Sequence, residues 1–216
     1  MTADLMLAQD AGAASSGWIA MDLPKLAATF QERGFAVLGP PALDAAWFAG
    51  LRQEAQHQRR HASWPLNLRN GRTRTPQDNM RGQLGPLTRH WLSSEPTRAV
   101  IRAITGRAVA PSWSPSCFTY YDAPGSYLGR HCDQQELCAL GLLLGFESTW
   151  PSGEDPGDGN QLWVYPDNEA KLPVWRITTL PNRIVILNGS KFPHGRPPMK
   201  ATQRVSVLSA CFMIAP

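Results

Sequence analysis

Four side chains of this sequence, His131, Asp133, His194 and Arg204, have types and spacings that can do chemistry together. Two imidazoles and one carboxylate make the facial set that holds non-haem Fe(II) and leaves coordination positions open for substrate and oxygen. Arg204 follows the second histidine by ten residues. A guanidinium there can grip a carboxylate through two parallel hydrogen bonds, and the Ser206 hydroxyl can add a third. An arginine on a buried strand is costly without an anion, so the pair calls for a bound dicarboxylate.

The elements that must position these groups follow from the pattern. Alternate side chains share a face on an extended segment, so His131 and Asp133 converge while Cys132 turns away. Residues 127–133 read as a strand running into a turn, with both ligands at its end. His194 lies 61 residues beyond Asp133, which demands a fold whose distant strands become neighbours. A jelly roll does this, because its two sheets face each other across a narrow mouth. Phe192-Pro-His-Gly-Arg-Pro-Pro198 excludes a helix or central strand and predicts a rigid loop entering a strand. Residues 203–212 are β-rich and predict a buried strand with Arg204 and Ser206 on one face. Further strands are expected at 35–38, 117–121, 137–144, 161–165, 174–177 and 183–187, and helices at 22–33, 43–60 and 97–105. An irregular, lid-like loop is expected over 60–87.

With these residues in place, the C-terminal half resembles the Fe(II)/2-oxoglutarate-dependent dioxygenase superfamily. The likeness covers about residues 112–214. It is carried by Tyr120-Tyr-Asp-Ala-Pro-Gly-Ser-Tyr-Leu-Gly-Arg-His-Cys-Asp133, Asn182-Arg-Ile-Val-Ile-Leu-Asn-Gly189, His194 and Arg204-Val-Ser206. The resemblance implies a mainly β fold with flanking helices and a double-stranded β-helix (cupin-like jelly-roll) core. It implies His131, Asp133 and His194 as ligands of Fe(II), and 2-oxoglutarate as cosubstrate with its far carboxylate on Arg204 and Ser206. O2 is the implied oxidant. Tyr120 or Tyr121 is expected to donate a hydroxyl to the cosubstrate, the alternative for each being a place in the core. The implied organisation is a disordered leader over 1–17 and one domain over 18–216. Within it, a helical and lid region (18–111) bears substrate contacts and precedes the core (112–216).

The implied reaction is hydroxylation, with desaturation or ring formation as variants. Fold and cofactor leave the substrate open. Nucleic-acid demethylases of this superfamily carry Arg-x-Asn-x-Thr-x-Arg on the final strand, where this chain has Arg204, Ser206, Leu208 and Ala210. Peptidyl prolyl hydroxylases carry lysine where this chain has Arg204. Both comparisons favour a small molecule, such as an amino acid or natural-product intermediate, with a protein side chain as runner-up. A metal-binding jelly roll that senses a ligand without turnover is the reading from another class.

Charge is unevenly spread. Residues 51–110 hold eleven arginines, no lysine and three acids, a concentration that attracts anionic partners. Arg69, Arg72, Arg74 and Arg81, with Arg196 beside the distal histidine, are expected contacts for a carboxylate or phosphate on the substrate. The alternative is a solvated basic face. Their surroundings lack the interleaved aromatics of a single-strand groove, which argues against nucleic acid. A chain of 216 residues fits one domain. No apolar run reaches the roughly 20 residues of a membrane span, and no secretory leader is expected. Cys117, Cys132, Cys138 and Cys211 show neither zinc spacing nor a disulfide framework. They are therefore expected as reduced core thiols of a cytoplasmic protein. Oligomeric state is not legible.

Overall fold

The computed structural model describes residues 17–65, 77–150 and 157–215. Helix α1 (Leu23–Arg33) begins where Asp22 accepts from the Lys25 amide at 3.0 Å, satisfying one of the orphan donors of the first turn. It stops at Gly34, whose φ of 76° turns its N–H back to the Phe30 carbonyl. Strand β1 (Phe35–Leu38) follows, then α2 (Ala45–Arg59), capped by Asp44. Two short strands, β2 (Gln77–Asp78) and β3 (Met80–Gly82), precede α3 (Pro86–Ser93) and α4 (Glu95–Thr105). The remaining strands are β4 (Val109–Tyr121), β5 (Tyr127–His131), β6 (Leu140–Thr149), β7 (Gln161–Val164), β8 (Trp175–Thr178), β9 (Ile184–Leu187), β10 (His194–Arg196) and β11 (Arg204–Ile214).

They form two antiparallel sheets, β1-β9-β6-β11-β4-β3 and β2-β5-β10-β7-β8, the two-sheet jelly roll expected from the sequence. The helices cover the outer face of the larger sheet, where Phe30, Leu51, Trp91 and Ile101 pack with Phe118, Leu144, Leu208 and Phe212. Two smaller clusters lie between the sheets. One is built on Phe35, Leu162, Val164 and Leu187, the other on Tyr121, Met199, Val205 and Val207. Strand β11 therefore sends Leu208, Ala210 and Phe212 to the helices and Val205 and Val207 to the space between the sheets, the period of two that a pleated strand imposes.

Three expectations change. The described part of the 60–87 stretch is irregular only in part: β2 and β3 carry the chain from the edge of the smaller sheet to that of the larger. Gln77-Asp-Asn-Met-Arg-Gly82 has no apolar alternation, so its extended form is set by the strands it pairs with. His194 lies in a central strand after all, a three-residue one between β5 and β7 that stops before Pro197, so neither flanking proline has to donate a ladder bond. Cys138 and Cys211 form a disulfide, with Cα atoms 4.8 Å apart, and are not reduced thiols. The sheet makes them neighbours by setting Cys211 opposite Gly141, a proximity hidden by their separation of 73 residues. A disulfide removes the cysteine argument for a cytoplasmic location. No helix among the described residues is long and apolar enough to cross a membrane.

Candidate metal and cosubstrate site

His131 and His194 are cross-strand partners on β5 and β10, and their ring centroids are 4.5 Å apart. Asp133 follows β5 and is held by its own amide, which donates to the Gly189 carbonyl at 2.9 Å. Its two oxygens lie 3.4 Å from His131 Nε2 and 3.8 Å from His194 Nε2. The three ligand atoms all fall within 4.8 Å of one another, spacings suited to a shared divalent ion with bonds of about 2.1 Å. Each imidazole is also oriented from behind. His131 Nδ1 is 2.9 Å from the Gly129 carbonyl, and His194 Nδ1 is 3.0 Å from the Phe192 carbonyl. A carbonyl only accepts, so Nδ1 carries the proton and Nε2 presents its lone pair to the metal position.

The electrostatics favour a metal in the same way. Burial pulls the His194 imidazole below its ordinary range, against the field of Asp133, which favours the neutral ring that a metal needs. Burial pushes Asp133 up, but the two rings in their protonated form outweigh it, His131 by a hydrogen bond and each by its field, and hold the carboxylate low; a metal ion would take over that positive charge. Room for that carboxylate comes from Gly189, where a Cβ would overlap Asp133 Oδ2 and lie 3.1 Å from His194 Cε1.

The triad lines a cavity of about 1480 Å³ between the sheets. Arg196, two residues past His194 on β10, lines it too and is 5% exposed. Its guanidinium donates to the Gly159 carbonyl at 2.9 Å and Thr179 Oγ1 at 2.8 Å, and lies 4.9 Å over the Tyr121 ring. Burial lowers the Arg196 pKa and raises that of Tyr121, and each group partly offsets the shift of the other. Among the described residues no carboxylate pairs with Arg196. A guanidinium out of water without an anion is costly, and a carboxylate in the cavity would remove that cost.

Arg204, Ser206 and Tyr120 are not brought to the cavity. Arg204 is exposed at the outer end of β11, opposite Thr149. Ser206 faces a crevice under α2 with Arg59, Tyr120 and Glu147. Tyr120 donates to the Ala55 carbonyl at 2.6 Å and ties β4 to that helix. The physical reason is parity. Expecting Arg204 and Ser206 to share a face was sound, but that face belongs to the helical layer, and the cavity takes Val207 and Ser209. Of the two tyrosines, Tyr121 is the one in the cavity wall. Because Arg204 is outside the site, the lysine-for-arginine contrast with prolyl hydroxylases loses its basis. Arg81 lines the cavity, whereas Arg69, Arg72 and Arg74 lie outside the described residues. Other arginines of the basic segment are spent on structure: Arg59 pairs with Asp122 and Glu147, and Arg98 and Arg102 pair with Glu95. Gln77 and Asn79 also line the cavity, and nothing in their local sequence signals it.

No family profile and no curated protein sequence matches the chain. Solved structures do. A prolyl-4-hydroxylase from Pseudomonas putida matches with a TM-score of 0.66 at 16% identity, covering 90% of this chain and 100% of that one. A prolyl hydroxylase from Trichoplax adhaerens, in complex with a hypoxia inducible factor oxygen degradation domain peptide fragment, gives 0.68 at 15% identity over 89% of each chain. A non-haem α-ketoglutarate-dependent epimerase of nogalamycin biosynthesis gives 0.66 at 13%, covering 89% of this chain and 81% of that one. The fold of this chain is thus the one shared by Fe(II)/2-oxoglutarate oxygenases.

Proposed function

We propose that this chain is an Fe(II)- and 2-oxoglutarate-dependent oxygenase acting on a small molecule. The observation that carries the reading is the set of His131 Nε2, His194 Nε2 and the Asp133 carboxylate, converging in a cavity that also holds Arg196 and Tyr121. The donor set suits Fe(II), and the residues present fit a dicarboxylate cosubstrate once the anchor is taken from β10 and β4 and not from β11. When bound, iron and 2-oxoglutarate would supply the oxidant for a substrate C–H bond, with succinate and CO2 as coproducts.

The protein's own part is positioning. Gly129 and Phe192 carbonyls fix the imidazole tautomers, Gly189 leaves space for Asp133, and Arg196 with Tyr121 holds the far carboxylate. The apolar walls of Leu128, Leu162, Leu187 and Val207 limit water around the reacting centre. A protein side chain is the second reading, favoured by the exposed 134–137 stretch at the cavity rim and by the peptide complex of the Trichoplax relative in fold.

The test is anaerobic titration of the purified chain with Fe(II) and 2-oxoglutarate, followed through the visible charge-transfer band. The band is expected in the wild type and not in His131→Ala. Fe(II) binding with no band would remove the cosubstrate and leave the metal-binding jelly roll.

A further inference from the structure

Gln77, Asn79 and Arg81 alternate along the segment that runs from β2 to β3, and all three line the cavity. Gln77 stands opposite Leu128, whose other cross-strand partner is Arg196. Arg81 stands opposite Thr119, a second cavity residue. The row therefore spans from one sheet to the other, with Tyr121 influenced by both Arg81 and Arg196.

Its hydrogen bonds leave a donor and an acceptor over. Arg81 Nη2 donates to Gln77 Oε1 at 2.6 Å, and Asn79 Nδ2 donates to the Tyr127 carbonyl at 3.2 Å. That second bond fixes the amide, because the reversed orientation would set oxygen against oxygen. Asn79 is 0% exposed, yet its Oδ1 has no partner; the buried Nε of Arg81 has none either. Among the described residues no carboxylate pairs with Arg81. Buried polar atoms are rarely left unpaired, and a ligand or an ordered water against this wall would give both atoms a partner.

We propose that Gln77, Asn79 and Arg81 form the substrate-recognition row, and that it takes a carboxylate with an N–H on the adjacent carbon. An α-amino acid or its N-acyl derivative has this chemistry. The carboxylate lies on Arg81, and the N–H donates to Asn79 Oδ1. Arg81 decides for a carboxylate over a neutral carbonyl, since a guanidinium without an acid is compensated by an anion through charge-assisted bonds. The proposal rests on the oxygenase reading only for what happens to the bound molecule.

Binding calorimetry of the anaerobic protein, loaded with Mn(II) and 2-oxoglutarate, against L-amino acids, their N-acetyl derivatives and the methyl esters of both tests it. Some of the acids are expected to bind, and their esters to bind roughly tenfold or more weakly. Arg81→Met is expected to lower affinity for those acids by a similar factor while moving 2-oxoglutarate affinity less than about twofold. Des-amino acids delete the Asn79 contact from the ligand side, so the second arm needs no variant of a fully buried residue. Esters that bind as well as acids would overturn the proposal, as would the absence of any binding acid. A weakened 2-oxoglutarate complex in Arg81→Met would overturn it too, by assigning Arg81 to the cosubstrate. A chain that forms no 2-oxoglutarate complex but binds acids through Arg81 would retain the row and lose the oxygenase reading.

Discussion

Arg196 and Tyr121 meet between the two sheets, guanidinium 4.9 Å over ring, on strands from opposite sheets. Among the described residues Arg204 has no such partner, and it stands exposed on the other face of β11. The two arginines should therefore separate cleanly in a cosubstrate titration. Arg196→Met is expected to raise the 2-oxoglutarate dissociation constant roughly tenfold to a hundredfold, the cost of about 1.5–3 kcal/mol for a lost bond to a charged group. Arg204→Met should change it less than about twofold, in line with an exposed charge. Arg196→Lys keeps the charge but not the fork, and should fall between. The charge-transfer band read against 2-oxoglutarate concentration decides the matter; an effect confined to Arg204→Met would return the anchor to β11.

That contrast also marks how far the sequence could be read. His131-x-Asp133 was legible because a period of two on a strand end converges two ligands whatever the rest of the fold does. The strands 35–38 and 183–187 were legible because their apolar runs are short and bounded by turn residues. Arg204 was not, because parity on β11 depends on which of its faces meets the helices. Leu208 and Phe212 on one face and Val205 and Val207 on the other are equally apolar. Arg196 was in view as a substrate contact; its place on the face of His194 follows only once Pro193 and Pro197 are seen to bracket a strand.

Gly189 makes a prediction about the carboxylate alone. It is buried, and alanine there would press its Cβ into Asp133 Oδ2. Gly189→Ala should lower Mn(II) or Fe(II) affinity by tenfold or more, about 1.4 kcal/mol. The apoprotein's melting temperature should change little, because the clash is with a side chain that can swing away. Metal-binding calorimetry beside a melting curve tests this; equal metal affinity would mean Asp133 is not a ligand.

Tyr120 should make the fold sensitive to alkali. Burial pushes its phenol well above the ordinary value, Arg59 5.5 Å from the ring opposing this only in part. The raised folded pKa favours the neutral form. Its stabilisation is therefore complete below the unfolded value near 10 and is lost as pH rises from there towards the folded value. Each unit in that window costs about 1.4 kcal/mol. Tyr120→Phe loses the bond to the Ala55 carbonyl, about 1 kcal/mol at pH 7, but has no phenol to ionise. Its melting temperature should lie below the wild type's at pH 8, and the gap should close by about pH 11. A constant gap across that range would contradict the buried, neutral phenol.

The Cys138–Cys211 disulfide should hold the rim of the cavity as well as the fold. Cys138 ends the 134–138 stretch that lines the cavity beside the metal ligands, and Cys211 lies on β11 in the same wall. The bond closes a loop across 73 residues, long enough for cross-linking to remove much freedom from the unfolded chain. Stabilisation of about 2–4 kcal/mol is expected, or roughly 5–15 °C in a chain of this size. Denatured without reductant, the protein should show two reactive thiols, Cys117 and Cys132; with reductant it should show four. Cys138→Ser with Cys211→Ser should reproduce the lower melting temperature of the reduced protein and become insensitive to reductant. It should also weaken substrate binding more than metal binding, because Asp133 is held separately through its amide bond to Gly189. Four reactive thiols before reduction would show that the two cysteines are not bonded to each other and that the rim is held by packing alone.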